Sequence, residues 1–436
     1  MNHLSSMLFL LSCLPSVIGA TATEQPGPPR PAEADASLRK LVAEAGKELR
    51  GDILPFWLGH ARDRERGGFY GYIDSDMTIR KDAPRGSLLT SRILWTFSAA
   101  YLRYRDPAYL EMASWARRDL VDRFLDKSNG GLFWTVSADG QPMDPRKQTY
   151  GQVFGIYGLA EYYRATGDAE ALAQAVGLYR AVEEHAHDPV NGGYFEAFTR
   201  TWDRLDDTKP EIVGPSSEKS QNTHIHILEA YTNLLRAWPD PGLRRNQREL
   251  MELMLTRIVN PNTHHLVLFM RDDWTPTSHG VSYGHDIELS WLIVEAARVL
   301  GDPALLARAR ATSLAMAEAT LAQGVDKWGG VCNEGDSSGV TDAGKEWWPQ
   351  AEGATGFLNA YQLSGDPRFL AASLRTWDFI EERFVDRANG DWYQTLDSHN
   401  VVQPRPKVTV WKCPYHNSRS CMELIDRAGE LLGTGG

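Results

Sequence analysis

The sequence predicts an all-α fold, an (α/α)6 barrel of six inner and six outer helices. Three observations support this fold class. A helix-start signal with Asp, often followed by Pro, recurs roughly every 60 residues; a glycine turn follows most of the helices that it begins; and a second, more apolar helix follows each turn. In such a barrel, outer helices with charge on one side alternate with mostly apolar inner helices.

The composition limits the class of protein and its partners. Hydrophobic residues make up 42% of the 436 residues, charged residues make up 24%, and the formal net charge is −11. These fractions are ordinary for a globular chain with a sizeable core. The acidic balance, without a basic stripe or polybasic run, disfavours binding to a phosphate backbone. We therefore expect no nucleic-acid partner, and we expect the chain to act as a monomer.

The N-terminal segment, residues 1–22, has the features of a secretory signal peptide. An apolar stretch from Met7 to Ile18 precedes the small residues Ala20-Thr21-Ala22, and it is too short and too early to span a membrane. An alternative takes Leu10-Leu11-Ser12-Cys13 as a lipoprotein cleavage site, with a lipid anchor at Cys13. Both interpretations place the mature chain outside the cytoplasm, as a secreted or periplasmic protein.

A Pro-rich linker, residues 23–36, leads into a single (α/α)6-barrel domain, residues 37–436. The domain contains three cysteines, Cys332, Cys413 and Cys421. An odd and sparse set does not form a disulfide framework, and the chain has no CxxC pair of the kind that holds zinc. We therefore expect these cysteines to be small buried residues.

Six Asp residues mark the predicted starts of the outer helices. Asp at an N-cap accepts hydrogen bonds from the first amides of a helix, which have no partner within the helix. Pro fits the first helical position because the amide hydrogen that it lacks would have no partner there. The six are Asp35, Asp106, Asp168, Asp240, Asp302 and Asp366. Most of these helices end in a glycine turn before an apolar or aromatic residue: Gly67-Gly68-Phe69, Gly130-Gly131-Leu132, Gly192-Gly193-Tyr194, Gly329-Gly330-Val331 and Gly390-Asp391-Trp392, with Asn262-Thr263-His264 in the fourth repeat.

The inner helices are predicted after each turn and a short hairpin-like stretch. They are less charged and richer in small and aromatic residues, and they include Ser91–Tyr101, Gly151–Tyr162, Asn222–Leu235, His285–Val299, Trp347–Tyr361 and Tyr415–Ile425. Because each inner helix starts after a turn of the same kind, all six N-terminal ends open on the same end of the barrel. We expect any functional site at that end.

Polar residues are concentrated in the first turns of these inner helices. They come from all six repeats and are Arg92, Tyr150, Asn222, His224, His226, His285, Glu288, Trp348, Glu352, His416 and Asn417. Polar residues scattered over a protein surface would not be concentrated at one end of the inner helices. We therefore interpret the set as a pocket with convergent titratable groups.

His285 and Glu288 are three residues apart and so share one helical face, where the carboxylate can orient the ring or hold a ligand hydroxyl. The alternative for a single His is a core residue with satisfied hydrogen bonds, but His and Glu at three further helix starts favour a site. In Asn222-Thr223-His224-Ile225-His226 the two histidines are about 200° apart on a helix, so only one of them can face inward.

Two other interpretations of these side chains stay open from the residue types alone. A metal ion could take ligands from His226, His285, Glu288 and His416. The aromatic residues next to the polar candidates either fill the core or stack on the C–H face of a sugar ring, and they are Trp347, Trp348 and Trp411.

Four segments together resemble a known family. NTHIHILEAYTNL, SYGHDIELSWL, WWPQAEGA and WKCPYHNSRSC, in this order, are similar to the N-acylglucosamine 2-epimerase superfamily and in particular to its cellobiose 2-epimerase branch. The resemblance covers nearly all of the chain after the linker. It implies epimerisation at C2 of the reducing-end sugar of β-1,4-linked disaccharides (cellobiose, mannobiose, lactose), without a metal or organic cofactor.

The resemblance also implies roles for individual residues. His285 and His416 correspond to the two general acid/base residues, and Arg92 and His226 to the groups that stabilise the enediolate oxygens, with Asn222 nearby. Glu288 and Glu352 are similar to the substrate-holding and histidine-orienting carboxylates. The sugar platforms would be Trp348 and Trp411, and Tyr150 would bind substrate. The signal-like N-terminus departs from the cytoplasmic location that we expect for most relatives.

The residue types suit that chemistry. After ring opening, the aldehyde acidifies the C2 proton, and a base with a pKa near ambient pH removes it best, hence histidine. The enediolate is an oxyanion, which Arg92 and imidazole donors would stabilise in a site with little water. Inversion needs a proton on the opposite face, which two histidines on different helices can deliver.

Three alternatives remain. A mannose isomerase or a monosaccharide 2-epimerase would use the same histidines. A glycoside hydrolase on the same fold would use Glu288 and Glu352 as a carboxylate pair but has no need of His226, His285 and His416 together. A non-catalytic sugar-binding protein would keep only the tryptophans. The polar loop Thr201–Ser220 is either a lid over the pocket or a surface excursion.

Overall fold

The computed structural model describes residues 31–205 and 218–434. The predicted signal peptide, the alternative anchor at Cys13, most of the linker and the centre of the loop Thr201–Ser220 lie outside the described residues. Among the helices of the described ranges, none is long and apolar enough to cross a membrane.

The described chain is built from antiparallel helices in two layers. The outer layer contains α1 (Pro31–Glu48) with α2 (Leu54–His60), α4 (Pro107–Asp119), α6 (Ala169–His185), α8 (Pro241–Leu253), α10 (Pro303–Gln323) and α12 (Pro367–Phe379). The inner layer contains α3 (Ser87–Tyr104), α5 (Thr149–Thr166), α7 (Gln221–Ala237), α9 (Tyr283–Leu300), α11 (Trp347–Ser364) and α13 (Tyr415–Leu431). Each inner helix packs on the next and α13 packs on α3, so the ring closes. The predicted (α/α)6 barrel is confirmed.

Several outer helices contain a π-helical turn. The π turn Leu49–Ile53 joins α1 and α2 into one continuous helix, and further π turns extend α4, α8 and α12 at Leu120–Phe124, Met254–Ile258 and Ile380–Phe384.

The three cysteines predicted to be buried, Cys332, Cys413 and Cys421, are buried and free.

Five of the six predicted N-caps are confirmed. The carboxylates of Asp106, Asp168, Asp240, Asp302 and Asp366 accept hydrogen bonds from amides in the first turn of their helices. The prediction for Asp35 is wrong, because α1 already begins at Pro31 and Asp35 lies inside it. Pro is favourable in a first helical turn and the Ala-rich residues that follow are strong helix formers, so the end of the predicted linker is helical.

Short strands form a belt around one end of the barrel. The strand before each of five inner helices pairs antiparallel with a strand that follows the next turn. The pairs are β1 (Arg85–Gly86) with β2 (Thr135–Val136), β4 (Lys147–Gln148) with β5 (Ala197–Phe198), β6 (Lys219–Ser220) with β7 (Phe269–Met270), β8 (Val281–Ser282) with β9 (Glu334–Asp336), and β11 (Lys345–Glu346) with β12 (Thr395–Leu396); β3 (Pro142–Asp144) adds to β2 and β10 (Gly339–Asp342) to β9. This belt links each repeat to its neighbour and fixes where the inner helices start.

A buried ion pair recurs beside the turns. In five repeats the acid that precedes the turn contacts a basic side chain that comes shortly before an inner helix, at N–O distances of 2.5 to 3.1 Å: Asp63–Arg85, Asp126–Lys147, Asp188–Lys219, Asp326–Lys345 and Asp386–Lys407. The basic side chains are at most 2% exposed. Each acid also accepts hydrogen bonds from amides of its turn, so these turn ion pairs tie the turn to the helix start.

The fourth repeat departs from this arrangement. Asn260 takes the place of the acid and caps the turn through the amides of Asn262 and Thr263. The left-handed turn position that glycine fills elsewhere is occupied by His264, with a φ of 61°. A different pair holds this repeat, because His265 Nδ1 lies 2.7 Å from Asp286 Oδ2 on α9.

We expect Asp168→Ala to lower the free energy of unfolding by about 1 kcal/mol, because the caps of the Glu170 and Ala171 amides are lost. Urea denaturation followed by circular dichroism measures this change in the free energy of unfolding. Glu184→Ala removes an exposed carboxylate from the same helix without removing a cap, and this control should change stability by less than about 0.5 kcal/mol. Equal effects of the two substitutions would contradict the capping role.

Candidate active site

A cavity of about 320 Å³ opens at the end of the barrel where the inner helices start. It is lined by Arg92, Tyr150, Asn222, His226, His285, Glu288, Glu346, Trp347, Trp348, Gln394, Trp411 and His416. Nine of the ten predicted site residues are in this list. The tenth, Glu352, contacts the ring of His416. The structure therefore brings together the residues that the sequence pattern selected.

Each of the three pocket histidines is held through Nδ1. His416 Nδ1 lies 2.7 Å from Glu352 Oε1, and His226 Nδ1 lies 3.0 Å from Glu229 Oε2. His285 Nδ1 instead lies 2.7 Å from Ser282 Oγ. Since Nδ1 is engaged in every case, Nε2 is the nitrogen that each ring can offer to a substrate.

The contact of His285 corrects one expectation. The spacing of three residues allowed Glu288 to orient His285, but the partner of His285 is Ser282, at the end of the strand before α9. Glu288 reaches across the barrel to Arg419 on α13, with a distance of 2.7 Å between Glu288 Oε1 and Arg419 Nη2. A hydroxyl can donate to Nδ1 or accept from it, so Ser282 does not select one tautomer of His285.

Arg419 forms the centre of a buried cluster below the cavity. Its Nη2 lies 2.7 Å from both Glu288 Oε1 and Glu352 Oε1, and its Nη1 contacts Glu229 Oε1. These carboxylates come from α9, α11 and α7, and all four side chains are at most 4% exposed. We call Arg419 with Glu229, Glu288 and Glu352 the Arg419 cluster.

Three of the supporting residues were not predicted. Glu229 follows His226 by three residues, which is the spacing already noted for Glu288 after His285 and could have indicated it. Arg419 follows His416 by three residues within the segment WKCPYHNSRSC, but nothing in the pattern shows that it meets carboxylates from three other helices. Ser282 gave no signal, because serine before a helix usually acts only as a cap.

Arg92 lies on the opposite wall, among aromatic rings. Its Nη2 donates to Tyr150 Oη at 2.9 Å and its Nη1 lies 3.4 Å from the carbonyl oxygen of Trp411. The guanidinium lies 4.2 Å from the ring centre of Phe154 and 5.0 Å from that of Tyr415. Arg92 makes no ion pair among the described residues, so its positive charge is available to a negatively charged ligand atom.

Tryptophan rings complete the wall. The centre of the Trp348 ring lies 4.6 Å from that of His285 and 5.7 Å from that of His416, so two pocket histidines contact the same indole. Trp348 and Trp411 are only partly buried, whereas Trp347 is 4% exposed. Partly exposed aromatic faces beside polar groups fit a sugar ring, and the buried Trp347 belongs to the core as well as to the cavity wall.

His224 has a structural role, in agreement with the prediction that only one of His224 and His226 can face inward. Its Nε2 accepts the amide hydrogen of Tyr194 at 3.0 Å, and its Nδ1 donates to the carbonyl of Ser220 at 2.7 Å. The other member of the pair, His226, faces the cavity.

The Arg419 cluster bears on the metal alternative. Ligand atoms of Glu288, Glu352 and His416 lie within 4.8 Å of one another. The guanidinium of Arg419 already lies 2.7 Å from both carboxylates, so it supplies the positive charge that a metal ion would bring. The absence of a metal and of other cofactors therefore stays a prediction, with Arg419 as its physical support.

Burial keeps the pocket histidines neutral. It lowers the pKa of His285 to about 3, with a further contribution from His226. Burial also lowers the pKa of His226, although Glu229 opposes the shift, and it lowers the pKa of His416 well below its ordinary value, together with the charges of Arg92 and Arg419. Neutral imidazoles are the form that can accept a proton.

Another cavity, of about 480 Å³, lies at the opposite side of Arg419 and is lined by the later turns of the inner helices. Its charged side chains pair with one another, as in Arg236 with Glu295 and Arg103 with Asp426. None of the three catalytic candidates among the histidines lines it. The candidate catalytic histidines therefore all line the smaller cavity.

Comparisons with known proteins agree with this geometry. The sequence model of the N-acylglucosamine 2-epimerase (GlcNAc 2-epimerase) family matches residues 68–419. A cellobiose 2-epimerase of Bacteroides fragilis is 42% identical over 387 residues, which cover 88% of this chain and 98% of the relative. A cellobiose 2-epimerase of Dictyoglomus turgidum is 40% identical over 391 residues, which cover 89% of this chain and 99% of the relative.

Solved structures give the same result. The structure of the cellobiose 2-epimerase from Bacillus thermoamylovorans B4167 matches with a TM-score of 0.85 at 38% sequence identity. The match covers 89% of this chain and 100% of that one.

Proposed function

The chain belongs to the N-acylglucosamine 2-epimerase family, and on that premise we propose how its pocket works. The protein is a carbohydrate epimerase and thus an isomerase. Its function is that of a cellobiose 2-epimerase, which interconverts glucose and mannose at the reducing end of β-1,4-linked disaccharides such as cellobiose, mannobiose and lactose.

One observation carries the mechanism. Three neutral histidines from three inner helices face one cavity, each is held through Nδ1, and the guanidinium of Arg92, which has no ionic partner within the described chain, lies in the same cavity. Proton transfer at carbon needs bases on both faces of the substrate and a donor for the oxyanion. Binding alone would need neither.

The proton transfer uses His416 and His285. Because Glu352 accepts the Nδ1 hydrogen of His416, Nε2 of that ring is unprotonated and can remove the C2 proton of the open-chain sugar. The electrons of the C–H bond then form the cis-enediolate. His285 takes up a proton from water as the negative charge of the enediolate develops, returns it from Nε2 to the opposite face of C2 and becomes neutral again, while His416 releases the proton that it removed to water before the next turnover. In the reverse direction the two rings exchange roles, which the hydroxyl of Ser282 permits because it pairs with either form of the His285 ring.

Arg92 stabilises the enediolate. Its charge lies among aromatic rings and not in water, where a hydrogen bond to an oxyanion contributes most. His226 is the second donor, and Glu229 orients it. Trp348 and Trp411 support the sugar rings, while Tyr150 and Asn222 contribute hydrogen-bonding groups to the cavity.

The alternatives use the same pocket differently. A mannose isomerase or monosaccharide 2-epimerase would keep every group above and would act on free mannose. A glycoside hydrolase would need Glu288 and Glu352 as a free acid and base, whereas Arg419 binds both and Glu352 also holds His416 and Trp291.

An NMR time course with cellobiose in D2O tests the proposal. We expect glucosylmannose to appear with deuterium at C2. Release of free glucose would instead indicate hydrolysis by the glutamates, and exchange in mannose without any change in cellobiose would indicate the monosaccharide branch.

We expect kcat/KM for cellobiose to stay level as the pH falls from about 8 to well below 6.5, the ordinary value for histidine. The rate should stay level because the pKa values of His285 and His416 are lowered, and a base with a lowered pKa stays neutral until the pH falls to that value. Initial rates measured across this range, with circular dichroism to confirm that the enzyme stays folded, decide the point. A decline centred near pH 6.5 would contradict it.

The cellular location is also a proposal. We propose that the chain is exported and works as a monomer in the periplasm or outside the cell, supported by the apolar stretch Met7–Ile18 and the small residues that follow it. The mass of the mature protein purified from its native host distinguishes cleavage after residue 22 from lipid attachment at Cys13. An uncleaved N-terminus would contradict export by either route.

A further inference from the structure

The Arg419 cluster holds more negative than positive charge. Glu229, Glu288 and Glu352 would carry three negative charges against the single guanidinium of Arg419. The charged and titratable groups around the cluster are Arg92 on α3, Tyr150 and Tyr157 on α5, His226 on α7, His285 on α9, Glu346 on β11, and Tyr415 and His416 on α13. With the histidines neutral, Arg92 is the second cation, so at least one negative charge is in excess among these buried groups, and Glu346 adds to the excess whenever it is ionised. A buried site of this kind takes up a proton rather than keep an unpaired charge.

The hydrogen bonds show which carboxylate holds that proton. Glu229 accepts from His226, Tyr415 and Arg419. Glu352 accepts from His416, Trp291 and Arg419. Three donors suit an ionised carboxylate, since hydrogen bonds to the charged form stabilise it. Burial raises the pKa of Glu352 as well, but Arg419 and the hydrogen bond from Trp291 oppose the shift.

Glu288 has one donor. Its Oε1 accepts from Arg419 Nη2 at 2.7 Å, while its Oε2 is buried and has no hydrogen-bond partner within the described residues. The side chain is fully buried and also lines the cavity. A protonated Oε2 in this cavity wall would be a donor without an acceptor among the described residues, and a ligand oxygen would satisfy this buried atom.

We propose that Glu288 is a neutral carboxylic acid in the resting enzyme and that its Oε2–H donates a hydrogen bond to a substrate oxygen that gains negative charge during epimerisation. The second part rests on the proposed function; the protonation does not. Glu288 is then a catalytic residue that acts beside Arg92 on the enediolate. A neutral acid suits this task because an ionised carboxylate would repel the oxyanion.

The electrostatic balance supports the assignment. Burial and the neighbouring Glu352 raise the pKa of Glu288 well above its ordinary value, although Arg419 opposes them. Glu229 behaves in the opposite way, because its donors outweigh burial and lower its pKa to about 2. The acid form of Glu288 exists below its raised pKa, so its contribution to catalysis is present below that pKa and is lost as the pH rises through it.

Infrared difference spectroscopy of the full-length protein at neutral pH tests the protonation without any substrate. We expect the carbonyl-stretch band of a protonated carboxyl group in the wild type to lose intensity in Glu288→Gln. Glu184→Gln, which replaces an exposed carboxylate, should leave that band unchanged. An unchanged band in Glu288→Gln would overturn the proposal.

Kinetics with cellobiose test the donor role. Glutamine can accept from Arg419 and donate from its amide nitrogen, so Glu288→Gln should keep kcat within about tenfold of the wild type, while Glu288→Leu should lower it by about 100-fold. Equal losses in the two variants would overturn the donor role. If Glu288→Leu does not fold, the infrared result and the near-normal rate of Glu288→Gln still decide. A wild type that leaves cellobiose unchanged would refute the proposed function, and the infrared band would still report the proton on Glu288.

Discussion

Replacing His416 with Asn should lower the rate of C2 deuterium exchange in cellobiose by about 1,000-fold. Asparagine fits the site and can still donate a hydrogen bond to Glu352, but it cannot accept a proton from carbon. The variant should therefore bind the disaccharide with little change, so that kcat falls far more than KM changes. NMR exchange rates and steady-state kinetics measure the two effects.

The matched control is His279→Asn, which makes the same chemical change at an exposed histidine. That variant should exchange deuterium at the wild-type rate. Unchanged turnover in His416→Asn would exclude His416 as a base and would favour a different proton acceptor, whereas a wild type without turnover would favour a non-catalytic sugar-binding protein.

Replacing Arg419 with Met should lower the free energy of unfolding by about 3 to 5 kcal/mol at neutral pH. Methionine keeps an unbranched apolar stem but lacks the guanidinium, so the buried carboxylates Glu229, Glu288 and Glu352 lose the cation that each of them contacts. Urea denaturation curves at several pH values measure the loss. Activity should fall as well, because Glu352 and Glu229 would no longer be fixed behind His416 and His226.

The pH dependence provides a second check on Arg419→Met. Without the guanidinium the folded-state pKa values of all three carboxylates rise, from a lowered value for Glu229 and from raised values for Glu288 and Glu352. The folded protein then binds protons that the unfolded chain has released at neutral pH. The deficit should therefore shrink as the pH falls toward the ordinary value of Glu. The control is Arg387→Met, which removes a 61% exposed arginine from a surface pair and should cost less than about 1 kcal/mol.

Much of the barrel could be predicted because its signals are local. The Asp caps, the turns and the apolar inner helices are each encoded within a few residues, and all six predicted inner helices lie within α3, α5, α7, α9, α11 and α13. The site could be located for the same reason, since helix starts of one kind meet at one end. The start of α1 was missed because its only marker, Pro31, lies in a segment that resembles a linker.

The supporting contacts could not be predicted, because they join residues that are distant in sequence. Lys147 and Lys219 look like ordinary surface lysines, yet both are fully buried against the acid of a turn in the preceding part of the chain. Arg419 is separated from Glu229 by 190 residues and from Glu288 by 131. Such pairs depend on how the helices are placed, and residue spacing shows only which face a side chain occupies.

The two sets of buried charges differ in how changes at them would combine. The five turn ion pairs share no members, so the energetic effects of substitutions in different repeats should simply add. The Arg419 cluster has one cation in common, so the effect of changing Glu229 depends on what stands at positions 288 and 352. We therefore expect the turn ion pairs to vary one repeat at a time among homologous chains, whereas the charges beneath the pocket histidines have to change together or stay as they are.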